Sequence, residues 1–145
     1  MRPVTVRCLT QQESDEDWVI LYGAAAYVEG TFNAKGRWVP FDYSVFMYGI
    51  CETIEAYQLG EPVLLKEFAW AVLVLTHESG HLRGWKWASD EARTECWAIR
   101  HTRYVAQHLG MTDPAALSAV MTEALRLHNE MGWNYHLAGC KLPTP

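Results

Sequence analysis

The sequence predicts an α+β fold in which a short antiparallel N-terminal sheet packs on a bundle of about four helices. The first third of the chain is rich in β-branched and aromatic residues, whereas the remainder carries apolar residues at helical spacing. The chain has 145 residues, of which 50% are hydrophobic. A chain of this size can bury a core without a metal or a disulfide. We therefore expect a single domain over residues 1–145, with its strands first and its helices after them.

Two or three short antiparallel strands are expected within residues 3–43. Residues 4–6 alternate in polarity, residues 18–27 are largely apolar, and residues 37–41 follow an Asn-Ala-Lys-Gly turn. The acidic stretch 13–17 lies between the first two strands and is interpreted as a solvated loop.

The first two predicted helices occupy the middle of the chain. One begins at Asp42 or Ser44, both suitable N-caps, and ends at residues 59–60, where Leu-Gly stops the apolar repeat. The next covers residues 63–82 and is apolar on nearly every face, so it should run through the centre of the domain. Gly84 is the expected stop signal after it.

Two further helices are predicted before an irregular tail. Ser89 or Asp90 caps the third helix, whose apolar stripe continues to Gly110. The Asp-Pro pair at residues 113–114 opens the fourth helix. From Gly132 onward no periodic pattern is left, so the tail should be irregular.

The charge balance and the apolar runs exclude two classes of partner. Twelve Lys and Arg against seventeen Asp and Glu give a net charge of −5, whereas nucleic-acid binders usually carry basic patches. The longest strongly apolar run, residues 68–75, is far shorter than the ~20 residues of a membrane span. The first residues lack a signal-peptide pattern, so the expected location is cytoplasmic, or secreted if a signal peptide has been removed.

The four cysteines are almost evenly spaced and include no Cys-x-x-Cys pair, so zinc bound by sulfur is not expected. Cys51 and Cys96 fall on apolar helix faces, and Cys8 and Cys140 lie near the chain ends. In an exported protein the predicted pairs are therefore Cys51 with Cys96 and Cys8 with Cys140. Buried free thiols are the alternative in a cytosolic protein.

The motif that indicates chemistry is His-Glu-Ser-Gly-His at residues 77–81, at the end of the central helix. Two histidines four residues apart lie on one helix face, so His77 and His81 can both reach one zinc ion. Zinc lowers the pKa of a bound water toward ~7, and Glu78 is placed to take its proton and pass it to a leaving amine. Three ionisable groups on an otherwise apolar helix would be costly to bury without a metal or partners.

A hydrolytic zinc site also needs a third protein ligand. The metzincin pattern is excluded, because Gly84 is in place but Trp87 occupies the position of the third histidine. Downstream, Glu91 and Glu95 are four residues apart and therefore share one face of the next helix. Glu95 lies on the apolar stripe of that helix, so a positive or hydrogen-donating group must meet it.

The order of these residues resembles the gluzincin clan of metalloproteases, of which thermolysin is typical. In that clan a His-Glu-x-x-His helix, here His77, Glu78 and His81, is followed by a helix with a zinc-binding Glu. An acid four residues further on orients a ligand histidine. Glu91 and Glu95 occupy those two positions.

The short connection between the two helices is more similar to the minigluzincins and the ImmA/IrrE group. There a Glu-Ala-Asn-x-Phe-Ala helix follows the zinc motif. Residues 91–92 match its Glu-Ala, whereas Arg93, Glu95 and Cys96 differ from its Asn, Phe and Ala. The resemblance covers about residues 35–110.

The resemblance implies a Zn²⁺ cofactor and a role for each residue. His77, His81 and Glu91 would be the metal ligands, Glu78 the general base, and Glu95 the acid that accepts a hydrogen bond from a ligand histidine. Glu95 also remains open as an alternative third ligand, because the spacing alone does not separate the two carboxylates.

These observations give two hypotheses of function. The first is a small zinc-dependent metalloprotease that hydrolyses peptide bonds, with its peptide or protein substrate extended along an edge strand formed by residues 37–41. The second is a non-catalytic zincin-fold module that binds a peptide or partner. Ordinary surface or partly buried roles are expected for the remaining histidines: His101, His108, His128 and His136.

Overall fold

Three strands, β1 (Thr5–Cys8), β2 (Ala26–Phe32) and β3 (Trp38–Phe46), form one mixed sheet. The structure is a computed structural model that describes residues 5–21, 24–83, 87 and 89–144, so Val4 and Gly84 lie outside the described residues. The strand order is β1-β3-β2, with β2 antiparallel and β1 parallel to β3. The predicted antiparallel pairing therefore holds for β2 and β3 only. The long connection from β1 through β2 lets β1 join β3 in the parallel sense.

The segment between β1 and β2 is helical rather than a solvated loop followed by a strand. It contains α1 (Gln11–Glu16) and α2 (Trp18–Leu21). A capping box starts α1: the Thr10 hydroxyl accepts from the Glu13 amide at 3.2 Å, and the Glu13 carboxylate accepts from the Thr10 amide at 2.8 Å. The predictions of a loop over residues 13–17 and a strand over residues 18–27 are therefore wrong where α1 and α2 lie. Residues 26–27 belong to β2 as predicted, and residues 22–23 lie outside the described residues.

The helix α3 (Tyr48–Gln58) begins later than the predicted Asp42 or Ser44. Residues 42–46 instead complete β3, where residues 43–46 are paired with β1 on one side and mostly with β2 on the other. The next helix, α4 (Leu65–His81), matches the predicted central helix over residues 63–82.

The last two helices begin as predicted. Asp90 caps α5 (Glu91–His108), since its carboxylate accepts from the Arg93 amide at 2.9 Å. Asp113 caps α6 (Pro114–Glu130) in the same way, with a proline in the first turn. The tail contains one 3₁₀ turn, Trp133–Tyr135, and is otherwise irregular through residue 144.

The helix α4 lies at the centre of the hydrophobic core. It contributes buried side chains to all three clusters described by the structure: one with α5 and α6 near the start of α4, one with α3 and the sheet, and one with the middle of α5 and α6. The α+β prediction with a central motif-bearing helix is thus confirmed. Within the described ranges, no helix combines the length and the apolar content that a membrane crossing requires.

Two disulfides cross-link the chain, Cys8 with Cys51 and Cys96 with Cys140. The predicted pairs, Cys51 with Cys96 and Cys8 with Cys140, are therefore wrong. The first disulfide joins β1 to α3, and the second joins α5 to the tail that returns after α6. Tertiary packing sets the pairing, because the tail lies against α5 and the end of β1 lies beside α3.

Candidate metal centre

The centre is built where the end of α4 meets the start of α5. His77 and His81 lie one turn apart on α4, and Glu91 is the first residue of α5. Both histidines are buried, and the Glu91 side chain is 38% exposed. The three side chains form a group of possible metal ligands among the described residues. The start of a helix also favours a negatively charged side chain, which suits Glu91.

The three candidate ligand atoms form a compact triangle. His77 Nε2 lies 3.0 Å from His81 Nε2 and 3.0 Å from Glu91 Oε2, and His81 Nε2 lies 3.5 Å from Glu91 Oε2. Tetrahedral zinc with bonds of 2.0–2.1 Å separates its ligands by roughly 3.3 Å. The triangle therefore has the size of one face of a tetrahedral zinc site.

Hydrogen bonds define which nitrogen of each ring can bind a metal. His77 Nδ1 donates to Glu95 Oε2 at 2.8 Å, and His81 Nδ1 donates to the Trp87 carbonyl oxygen at 2.9 Å. A carboxylate and a carbonyl only accept, so both Nδ1 atoms carry the proton. If both rings are neutral, the Nε2 lone pairs of His77 and His81 point at the Glu91 carboxylate. Three acceptor atoms this close together repel one another, so a shared proton or a cation must lie between them.

The electrostatics of the pair agree with this requirement. Burial opposes protonation of His77, but the hydrogen bonds to Glu91 and Glu95 outweigh burial and raise its pKa to about 10. The hydrogen bonds from His77 and His81 hold the pKa of Glu91 well below its usual range. The pocket thus stabilises positive charge between its carboxylates, and its donor set of two imidazoles and one carboxylate fits Zn²⁺.

Glu78 lies beside the triangle and is not part of it. Its side chain is buried and lines the same cleft as the two histidines. Burial raises the pKa of Glu78 above its usual range, while His77 and His81 oppose that shift. A buried carboxylate with a raised pKa is a stronger base than an exposed one, which suits it to accept a proton.

Glu95 lies behind His77 and is fully buried. Its Oε2 accepts from His77, and its Oε1 accepts from His128 Nδ1 at 3.0 Å. Burial raises the pKa of Glu95, but the hydrogen bonds from His128 and His77 outweigh burial and hold the pKa below its usual range. The sequence-based expectation that a donor must meet Glu95 is therefore confirmed. Glu95 is not part of the three-residue ligand group.

The expectation of an ordinary surface or partly buried role is wrong for His128, which is buried and bonded to Glu95. The sequence held a signal for this residue. His128 continues the buried stripe of α6 at positions 117, 121 and 124. His101 and His108 bond to backbone carbonyls one turn earlier on α5, at 2.7 and 2.8 Å, as ordinary helix residues do.

A cleft of about 350 Å³ opens over Glu78 and the three candidate ligands. One wall of the cleft is formed by α4, where Trp70, Leu73 and Val74 precede the two histidines along the helix. The small residues 24–26 also line the cleft. Tyr135 and Met131 contribute from the C-terminal region; helical spacing placed Met131 on the apolar stripe of the last helix, but no sequence pattern indicated that either residue lines the site.

Strand β2 is paired with β3 on one side only among the described residues, so it is an edge strand beside the cleft. Strand β3 is central in the strand order, but the described part of β1 pairs only with its residues 43–46, so the peptide-binding role expected for residues 37–41 stays a prediction. The first residues of β2, 26–28, line the cleft together with Trp38 of β3. The edge position of β2 follows from the parallel pairing of β1, which the sequence did not indicate.

Comparisons of the chain with protein-family models, with curated proteins and with solved structures found no match.

Proposed function

We propose that this protein is a small zinc-dependent metallopeptidase that hydrolyses peptide bonds. The observation that carries the proposal is the convergence of two imidazole Nε2 atoms and one carboxylate within 3.5 Å. Each ring has an acceptor at Nδ1, Glu95 for His77 and the Trp87 carbonyl for His81, so Nε2 is the nitrogen that faces the shared position. The buried Glu78 beside them adds the acid or base that hydrolysis needs.

Each residue then has a distinct task. His77, His81 and Glu91 would hold Zn²⁺, and the three protein ligands leave a fourth position for substrate or water. When bound, zinc supplies Lewis-acid polarisation of the scissile carbonyl and acidifies water. Glu78 accepts the proton of the attacking water and transfers it to the leaving amine. The raised pKa of Glu78 makes it a stronger base for taking the proton from water.

The cleft supports an extended peptide as substrate. The side of β2 that has no partner among the described residues offers backbone groups for strand addition, which aligns a peptide without demanding a particular sequence. The apolar part of the cleft, lined by Trp70, Leu73 and Val74 together with small residues, fits an apolar side chain next to the scissile bond. Burial raises the pKa of Tyr135, so its hydroxyl stays protonated and can donate a hydrogen bond to the substrate.

The gluzincin resemblance supports the same proposal. Both histidines come from one helix, and the first residue of the following helix completes the ligand group. Glu95 accepts a hydrogen bond from His77, as the resemblance implies for the orienting acid. We assign the protein to a gluzincin-like class on this arrangement.

The two disulfides favour an oxidising compartment over the cytoplasm. Protein disulfides form and persist mainly in secreted or periplasmic settings. We therefore propose that the protein is exported, whereas the sequence led us to expect a cytoplasmic location.

The test compares Glu78→Gln with the wild-type protein. We expect about one zinc per chain in both, with hydrolysis of a mixed peptide pool reduced by about 10²- to 10⁴-fold in the variant. The reason is that Gln keeps the shape of Glu78 but cannot take a proton. Glu67→Gln is the matched control, because Glu67 is an exposed glutamate on the same helix. Mass spectrometry of the products measures the hydrolysis.

Two outcomes would contradict this proposal. If the purified protein binds no stoichiometric zinc even after reloading, the metal site and the peptidase are both wrong. If zinc binds but the wild type hydrolyses no peptide of the pool more than Glu78→Gln does, the protein is instead a metal-containing module that binds a peptide or partner.

A further inference from the structure

We propose that His128 is a positioning residue that holds Glu95 in place, so that His77 presents its Nε2 atom to the metal. This inference rests on the proposed metal site and adds a third helix to it. The residues of the site on α4 and α5 would then depend on a residue of α6 that touches neither substrate nor metal.

The first step is the geometry around Glu95. Its two carboxylate oxygens have separate partners, His77 Nδ1 at 2.8 Å and His128 Nδ1 at 3.0 Å. Glu95 is fully buried and His128 is 4% exposed. A buried carboxylate can only be stabilised by such donors, and each of the two histidines supplies one.

The second step concerns orientation. With Oε1 held by His128, rotation of the carboxyl group would break that hydrogen bond, so Oε2 stays directed at His77 Nδ1. The ring of His77 is then oriented with Nδ1 toward Glu95 and Nε2 toward His81 and Glu91. Without His128 one oxygen of the buried Glu95 loses its donor, and the carboxylate can turn away from His77.

The third step concerns the surroundings of His128. The His136 ring of the tail packs against His128 with ring centroids 4.8 Å apart. The Cys96–Cys140 disulfide fastens that tail to α5 at the residue next to Glu95. His128 is thus fixed by its position on α6 and by the contact of its ring with His136 of the tail. A positioning residue needs such a fixed side chain.

The experiment uses two substitutions of His128 in the full chain. Asparagine places its side-chain NH₂ where Nδ1 lies, so His128→Asn keeps the donor to Glu95. His128→Leu keeps the packing and removes the donor. The exposed residue His108 of α5 gives the matched control His108→Leu.

Two readouts are taken, neither of which depends on hydrolysis. Zinc affinity is measured by competition with a chelator, and the exchange of the His77 Nδ1 proton with solvent in the metal-free protein is measured by NMR. We expect His128→Leu to weaken zinc binding by about 10- to 100-fold and to speed this exchange, because the hydrogen bond from His77 Nδ1 to Glu95 is held less firmly. Both His128→Asn and His108→Leu should stay within about threefold of wild type in zinc affinity.

The proposal is overturned if His128→Leu leaves both the zinc affinity and the exchange of the His77 Nδ1 proton unchanged. It is also overturned if His128→Asn loses as much affinity as His128→Leu, since packing alone would then explain both. Circular dichroism confirms that each variant is folded. An absence of peptide hydrolysis in the wild type would contradict the proposed enzyme but not this inference, because the proton exchange is read without metal or substrate.

Discussion

At the scale of single residues, Glu91 and Glu95 are the same side chain in two different environments. Glu91 lies at the start of α5 with 38% of its side chain exposed, within 3.5 Å of both histidine Nε2 atoms. Glu95 lies one turn further along, fully buried, with both oxygens accepting from histidine Nδ1 atoms. Only Glu91 is therefore placed to share a metal ion with His77 and His81.

We predict that substitutions of the two carboxylates have different consequences. Glu91→Ala should abolish tight zinc binding, because it removes a ligand. Glu95→Ala should leave a bound metal with affinity reduced by about 10- to 100-fold. It should also lower the free energy of unfolding by about 1–3 kcal/mol, because two buried donors lose their acceptor. Chelator competition and urea unfolding of both variants measure these effects.

The reverse order of zinc affinities would make Glu95 the ligand and Glu91 the accessory group. Equal loss in both variants, together with equal loss of stability, would mean that α5 itself had been damaged. A variant of the exposed Glu130 on α6, Glu130→Ala, serves as the control for removing a glutamate.

At the scale of elements, the site depends on how closely α4 and α5 approach each other. Gly80 lies between the two histidines on α4, where a Cβ atom would come within 2.7 Å of Thr94 Cγ2 and 3.1 Å of the Trp97 ring. Thr94 is fully buried and β-branched, so it has little freedom to move. The glycine thus permits the short distance that brings Glu91 to His77 and His81.

We predict that Gly80→Ala separates the two helices. The free energy of unfolding should fall by about 1–3 kcal/mol, as is usual for overpacking, and zinc affinity should fall because Glu91 moves away from the histidines. Adding Thr94→Ser removes Cγ2 but keeps the hydroxyl that donates to the Trp87 carbonyl, so the double variant should recover part of both losses. Urea unfolding and chelator competition measure the recovery.

The control for this prediction is Gly49→Ala in α3. An added Cβ at Gly49 meets nothing within 4 Å, so alanine should stabilise that helix by about 0.5–1 kcal/mol. If Gly80→Ala behaved like Gly49→Ala, close helix contact would not be what positions Glu91.

At the scale of the whole molecule, the two disulfides join the ends of the chain to its interior. Cys8–Cys51 ties β1 to α3, and Cys96–Cys140 ties the tail to α5 beside Glu95. The tail carries Tyr135, which lines the cleft with its ring centroid 5.8 Å from that of His77. The second disulfide therefore borders the site, whereas the first one is linked to the sheet.

We predict that the natively purified protein contains these two disulfides. Each closes a loop between cysteines 43 or 44 residues apart, and loss of such a cross-link should lower the free energy of unfolding by up to about 4 kcal/mol. Removing Cys96 and Cys140 together should in addition weaken peptide hydrolysis, because the wall of the cleft formed by the tail loosens. Removing Cys8 and Cys51 together should leave hydrolysis per folded molecule unchanged.

Peptide mapping without reduction tests the pairing directly. Four alkylatable thiols in the non-reduced protein would contradict both disulfides, and a cross-link between Cys51 and Cys96 would contradict this pairing. Equal effects of the two double substitutions on hydrolysis would mean that only general stability connects the tail to the site.

The sequence by itself determined the features that depend on neighbours along the chain. The starts of α5 and α6 were predictable from Asp90 and Asp113, because a cap acts on amides two or three residues away. The central position of α4 was predictable because it is apolar around its circumference. The pair His77 and His81 was predictable because helical spacing alone puts them on one face.

Only the tertiary structure decided which distant residues meet. Glu95 and His128 are 33 positions apart, and the edge position of β2 depends on the parallel pairing of β1 with β3. The cysteine pairs were likewise set by where the tail and β1 return to the helices. Local patterns report burial and spacing along one element. Contacts between elements depend on packing of the whole chain, in which many arrangements satisfy the same local patterns.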